Sequence, residues 1–491
     1  MTFELETATN PENLRRVAID PVSRVEGHGK VTILLDADDH VHQVRLHIVE
    51  FRGFEKFIQG RPYWEVPVMV QRLCGICPVS HHLAASKALD MIVGARLTPT
   101  AEKIRRLMHY GQILQSHALH FFHLASPDLL FGFDSEVARR NVVGVIAAHP
   151  DIARQGVLLR KYGQDVIRLT AGKRIHGTGA VPGGVNKSLA RAERDALLAD
   201  IYQVIAWSRD AVALARKLHL SNVSLYNSFG AFRSNMLSLV AADGALDLYD
   251  GALRARDETG AILFDHFDTR RYWDAIMEEV RPWSYMKFPY LRALGPERGW
   301  YKVGPLARVQ NCDHMATPFA DVARREFVDF GGSQPVHATL AYHWARMIEM
   351  LFAAESIKAL LHDDDLLGTE LMAAPGERAE RGVGVIEAPR GTLIHHYRVN
   401  EEDLVVRANL IVSTTHNNQA LNEAIRQVAK RYLDGRKLTE GLLNHIEVAI
   451  RAFDPCLSCA THALGRMPLA VELLDRDGAV VDRIVKDADR C

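Results

Sequence analysis

Four of the six cysteines stand in two pairs, each with two residues between its members. Cys74 and Cys77 lie in QRLCGICPVSHH, and Cys456 and Cys459 in DPCLSCATHALG. Each pair reads as half of a metal site, with nearly the whole chain between the halves. A zinc ribbon ordinarily closes within about 15–20 residues, so this spacing suits structural zinc poorly. Two independent thioredoxin-like motifs remain open as a reading. Neither pair follows a βαβ pattern, however, and a disulfide gives no use to the flanking Arg72, Asp454 and histidines. Four thiolates gathered from distant segments would instead make a soft, electron-rich site for nickel, iron or copper(I). If the second Cys of each pair bridges to another metal, the centre is dinuclear and open to redox chemistry that zinc lacks. Cys312 reads as a buried small hydrophobe and Cys491 as an exposed terminal thiol.

The halves must be carried by elements that return on one another. GKVTILLDADDHVHQVRLHIV holds two strand-like runs around Asp36–Asp39, with Val44, Leu46 and Ile48 alternating with polar neighbours. The β character spans about 14–51. From about Trp64 the pattern is helical, and PTAEKIRRLMHYGQILQSHALHFFHLA has a capping-type Thr100 before Glu102. Further helices are expected around 135–148, 150–171, 187–218, 335–363, 417–434 and 438–451. Strand signals return over about 383–415. The fold class is therefore α+β and mainly helical: a long-helix bundle core with peripheral β-strands. In ALGRMPLAVELLDRDGAVVDRIVKDADRC (463–491), apolar alternation around Asp477-Gly478 signals a final hairpin.

Composition fits a soluble globular protein: 48% apolar and 24% charged, with a net charge of −1. That balance leaves no electrostatic footprint for nucleic acid. No apolar run is long enough for a membrane span. The first residues have no apolar signal core, so a cytoplasmic location is expected. No GxGxxG dinucleotide fingerprint occurs.

Arg72-Leu-Cys-Gly-Ile-Cys77 with His81, paired with Asp454-Pro-Cys-Leu-Ser-Cys459 and His462, resembles the two signatures of nickel–iron hydrogenase large subunits. DPVSRVEGHGK (20–30), EFRGFEKF (50–57), PGGV (182–185), MKFPYL (286–291), VGPLAR (303–308) and EAPRGTLIHHY (387–397) also fit, in order along the chain. Within the family, the sequence is most similar to the cytoplasmic NAD-reducing (bidirectional) large subunits.

The resemblance implies that Cys74 and Cys456 are terminal ligands on nickel. Cys77 and Cys459 would bridge to an iron carrying carbonyl and cyanide. Cys456 would be the first proton acceptor and Glu26 the relay carboxylate. Arg390, paired with Asp454, would overhang the open metal position. His81 would donate to a bridging sulfur, and Ser413 and Thr414 would hydrogen-bond a cyanide. Glu55, the Leu410 carbonyl and His462 would hold magnesium or a similar divalent ion. His109, His395 and His396 are given no role.

The same resemblance implies partners. Too few cysteines remain for an iron–sulfur cluster, so electrons would leave through a small subunit that carries one. Diaphorase subunits would bind flavin and NAD. A maturation endopeptidase would remove 463–491, leaving 1–462 as the catalytic domain with His462 at its end. The competing functional readings are an H2-sensing large subunit and a hydrogenase with another electron acceptor.

Overall fold

The computed structural model describes residues 14–281, 283–461, 469–474 and 480–486. The expected N-terminal strands are β2 (Gly29–Leu35) and β3 (Val41–Ile48), and β1 (Arg15–Ile19) adds to β2 so that all three pair antiparallel. The alternation of Val44, Leu46 and Ile48 points those side chains into the core, where each is buried. The sheet is also pinned from the far end of the sequence, because the Leu46 amide donates to the Asn422 side chain at 2.9 Å.

The helical core comprises α1 (Pro78–Ile92), α2 (Pro99–Leu119), α3 (Pro150–Ala171), α4 (Arg191–Ser221) and α5 (Ala341–Leu361). Helix α5 is buried along nearly its whole length and packs against α2 and α4, which explains its nearly all-round apolar sequence. The start of α2 corrects the sequence expectation. Its N-cap is Thr98, whose hydroxyl accepts from the Ala101 amide at 3.2 Å, with Pro99 opening the helix. Thr100 lies inside the first turn and donates to the Asp365 carbonyl instead.

The second β region is a three-stranded antiparallel sheet of β4 (Arg381–Ala388), β5 (Gly391–Val399) and β6 (Val405–Ile411). Strand β4 lies against α1 so closely that a Cβ at Gly384 would stand 2.0 Å from the Ala84 carbonyl oxygen, so only glycine fits there. Helices α6 (Asn418–Tyr432) and α7 (Glu440–Ala452) then lead back to the second cysteine pair.

A four-stranded sheet goes beyond the sequence expectation: Tyr301–Lys302, Asn235–Val240, Ala252–Arg256 and Ile262–Phe267 in that order. A hairpin of Ile276–Glu279 with Phe288–Leu291 accompanies it. In the tail, Leu469–Leu474 and Val480–Lys486 pair antiparallel, in keeping with the expected hairpin. Its turn residues, together with His462, Ala463 and Cys491, lie outside the described residues. Among the described residues no helix is long and apolar enough to cross a membrane.

Candidate metal centre

The two cysteine pairs meet. Cys74, Cys77, Cys456 and Cys459 are all buried, and their sulfurs lie within 4.8 Å of one another. The nearest approaches are 2.8 Å between Cys456 and Cys459, 3.3 Å between Cys456 and Cys74, and 3.6 Å between Cys77 and Cys459. The thiols share their protons unequally. Hydrogen bonding with Cys456, Cys459 and Cys77 pulls Cys74 well below the usual thiol range, whereas burial pushes Cys456 and Cys459 well above it.

The first pair sits in a loop opening α1, with Pro78 as the first helical residue. This loop is held by side chains that grip its carbonyls. Gln112 and Gln115 of α2 both donate to the Ile76 carbonyl, at 2.8 and 2.7 Å. Arg52 donates to the carbonyls of Leu73 and Arg72 at 2.6 and 3.0 Å. Inside the loop, the amides of Ile76 and Cys77 donate to the Cys74 sulfur at 3.1 and 3.3 Å. They favour its thiolate form.

The second pair follows α7 after a tight reversal at Asp454, whose φ is 53°. Glu26 and Cys456 form an isolated parallel bridge, and the Leu457 amide donates to the Glu26 carbonyl at 2.9 Å. Gly27 makes this possible: its φ is 81°, and a Cβ there would lie 2.5 Å from the Ser458 amide nitrogen. The Cys456 thiol donates to Glu26 Oε2 at 2.9 Å, and the Ser458 hydroxyl donates to Oε1. Arg451 of α7 fixes the same loop by donating to the Ser23 carbonyl at 3.0 Å and to Asp128 at 2.9 Å. Asp128 also receives Arg24 at 2.6 Å.

On the other side of the sulfurs lies a small cavity of about 10 Å³ whose lining includes Cys77, Cys459, His81, Arg390, Ser413 and Thr414. Arg390 donates through Nε to the Asp454 carbonyl at 2.6 Å and through Nη2 to its carboxylate at 3.1 Å. Burial opposes the guanidinium charge. Asp454 and the cysteine sulfurs outweigh it and hold Arg390 charged. Burial raises the Asp454 carboxyl, against the pull of Arg390. Arg390 Nη1 and Asp454 Oδ2 are buried without a hydrogen-bond partner among the described residues. Four sulfurs beside an unspent guanidinium donor fit a soft metal group bearing anionic ligands.

The two hydroxyls differ. Ser413 donates its single proton to the Gly391 carbonyl at 2.7 Å. Thr414 accepts from the Cys456 amide at 2.9 Å and so keeps its proton to give. His81, held down at about 4 by burial, pairs through Nδ1 with His395 Nε2 at 3.1 Å. Tyr397 stands 2.5 Å from His395 Nδ1, and burial keeps its phenol protonated. Tyr397 therefore donates to His395 and His395 to His81, which puts the His81 proton on Nε2. Sequence reasoning passed over His395, although it orients His81.

It also passed over Arg308, of the VGPLAR stretch. This fully buried guanidinium joins Glu349 and Glu387 at 2.7 and 2.8 Å and donates to the carbonyls of Ala388 and Pro389 at 2.7 and 3.1 Å. It thereby clamps the two residues before Arg390. The expected hard-ion residues are partly together. Buried Glu55 accepts from the Leu410 amide at 2.8 Å, with the Lys287 ammonium 3.9 Å away.

The sequence matches the family profile described as nickel-dependent hydrogenase over residues 52–131 and 256–462. A HoxL-like profile matches residues 16–51. The chain is 49% identical over 483 residues to the NAD-reducing hydrogenase HoxS subunit beta of Cupriavidus necator, covering 95% of this chain and 99% of that one. A crystal structure of an NAD+-reducing NiFe-hydrogenase in the H2-reduced state superposes with a TM-score of 0.90 at 62% identity, over 91% of this chain and 99% of that one. The reduced Ni-Fe-Se hydrogenase of D. vulgaris Hildenborough, at 23% identity and a TM-score of 0.75 over 91% and 100%, shares the fold. With both cysteine pairs converging at one buried point, this chain belongs to the nickel-dependent hydrogenase family.

Proposed function

We propose that this chain is the H2-activating large subunit of a hydrogenase that passes electrons through a small subunit to NAD+. The observation that carries the reading is the convergence of four buried sulfurs between the Glu26 carboxylate and the Arg390 guanidinium. The NAD+ assignment is supported by likeness to two proteins named as NAD-reducing hydrogenases.

Cys74 and Cys456 would hold nickel, and Cys77 and Cys459 would hold both nickel and an iron bearing carbonyl and cyanide. When bound, this group supplies the Lewis acidity and redox capacity for heterolytic H2 cleavage. The residues of the chain do the rest. Cys456 Sγ receives the proton and passes it 2.9 Å to Glu26 Oε2. Cys456 is buried and Glu26 only half-buried, so the transfer moves the proton outward. Arg390 offers Nη1 to the anionic ligands, with Asp454 fixing its plane. Thr414 offers its hydroxyl proton to a cyanide, a task Ser413 is poorly placed to share.

Glu55, Leu410 and His462 would hold magnesium or a similar ion. The segment after His462 is a maturation extension removed by an endopeptidase, which leaves 1–462 as the catalytic domain. The electron-accepting small subunit carries the iron–sulfur cluster, and diaphorase subunits carry flavin and NAD. A contact surface for such a partner is supported by exposed Val49, Phe51, Phe57, Trp64 and Val68, in the stretch leading to Cys74. The enzyme would work in the cytoplasm.

The test is H2-dependent NADH formation by the purified complex, with nickel and iron assayed and carbonyl and cyanide bands sought by infrared. Dye reduction without NADH would point to another acceptor or to H2 sensing. Zinc alone at the cysteines would sink the reading.

A further inference from the structure

A charged concavity lies away from the sulfurs, on the outer face of the β4–β5–β6 sheet. Arg381 of β4 stands opposite Arg398 of β5, and Arg398 stands opposite Arg407 of β6. Three guanidinium groups thus form one row across three neighbouring strands. Like charges directly opposite on adjacent strands repel and destabilise a sheet. Among the described residues, only Arg398 has a carboxylate in reach, Glu380 at 3.4 Å, and both of those side chains are exposed. Arg381 and Arg407 have no ion-pair partner among the described residues.

The row rims a pocket of about 580 Å³, within the roughly 300–1,000 Å³ usual for small-molecule sites. One residue pair deeper on the same face, His396 lies opposite Asn409. The facing wall comes from the segment around the Ile276–Glu279 strand and is aromatic. Trp273 stacks on His396 at 5.3 Å and 22°, and the Arg381 guanidinium lies 5.3 Å from the Trp273 ring centre. Lys287 and Glu278 pair at 3.2 Å, largely cancelling, so the unbalanced charge is the arginine row.

We propose that this pocket binds an organic phosphate with a planar ring, of the nucleoside-phosphate class. Guanidinium forks match phosphate oxygens two at a time, and a polyphosphate would bridge neighbouring arginines and relieve their repulsion. The ring would lie along Trp273 and His396, on a wall ordered by the Asn409 amide, which donates to the Tyr272 hydroxyl at 2.9 Å and to Glu278 at 3.2 Å. None of these residues takes part in the chemistry at the sulfurs.

The test is photolabelling of the purified hydrogenase complex with an azido derivative of ADP, followed by peptide mapping. Label is expected on this chain near Trp273 or on β5 or β6. It should fall about ten-fold or more in an Arg398→Ala/Arg407→Ala variant, the worth of a charge-assisted hydrogen bond or two. Arg381→Ala should weaken labelling in the same direction, and dye-linked H2 oxidation should stay normal in both variants. Unlabelled ADP should compete better than inorganic tripolyphosphate; equal competition would overturn the ring-binding part. Label confined to other subunits, or unchanged in the arginine variants, would overturn the site.

Discussion

Cys456 and Glu26 are 430 positions apart in the chain, yet sulfur and carboxylate oxygen stand 2.9 Å from each other. A backbone bridge between the same two residues sets that distance, so it does not depend on a side-chain rotamer alone. Glu26→Gln keeps the shape of this contact and removes the capacity to carry a proton. Nickel and iron content should be unchanged, while H/D exchange falls by about 10²–10⁴-fold, the usual worth of a positioned acid–base group. Wild-type exchange in the variant would take Glu26 out of the relay.

Cys456→Ser tests the centre itself. A hydroxyl is a harder ligand than a thiolate, so the variant should lose nickel by elemental analysis and all H2 activation with it. Retained nickel with full activity would be incompatible with Cys456 as a ligand.

Arg308 is predicted to act on Arg390 through the backbone. Arg308→Met leaves Glu349 and Glu387 buried without their common cation, a loss of about 3–5 kcal/mol. Chemical denaturation should register it, and H2 oxidation should fall even in molecules that stay folded. Arg308→Lys restores charge without the fork and should recover stability better than activity. Equal recovery of both would argue against a positioning role.

Acid should weaken the fold through its buried histidines. His109 sits between the carbonyls of Leu248 and Glu387, at 2.9 and 3.0 Å. Burial holds it down at about 3, below the ordinary histidine value of about 6.5. Between those values the unfolded chain takes a proton that the folded one refuses, so stability falls as pH drops through this window and is fully present above it. Going from about pH 7 to about pH 5 should remove about 2 kcal/mol through this residue. His109→Gln should lose correspondingly less over the same interval in urea titrations. Parallel slopes for the two proteins would count against it.

The sequence made the chemistry legible where it depends on side-chain type. Cys74, Cys77, Cys456 and Cys459 are brought together, Glu26 reaches Cys456, and Arg390 pairs with Asp454. The missing residues are mostly those whose partners are backbone carbonyls: Gln112, Gln115, Arg52, Arg308 and Arg451. Any segment has carbonyls, so no motif announces which one a distant guanidinium will grip. The same holds for folds. Alternation revealed β3, but Asn235–Val240 is buried on both faces and shows no period of two. Thr98 and Thr100 are equally good caps by type, and Pro99 at the first helical position decides between them.

The bridge between Glu26 and Cys456 also bears on how the chain comes into being. No short fragment contains this centre, because its thiols stand at Cys74 and Cys77 on one side and at Cys456 and Cys459 on the other. A polypeptide still being synthesised has Cys74 and Cys77 long before their counterparts exist, and so distant a contact closes more slowly than local ones. Metal capture thereby reports on folding: only a chain translated past Cys459 and folded back on its N-terminal part can offer all four sulfurs at once.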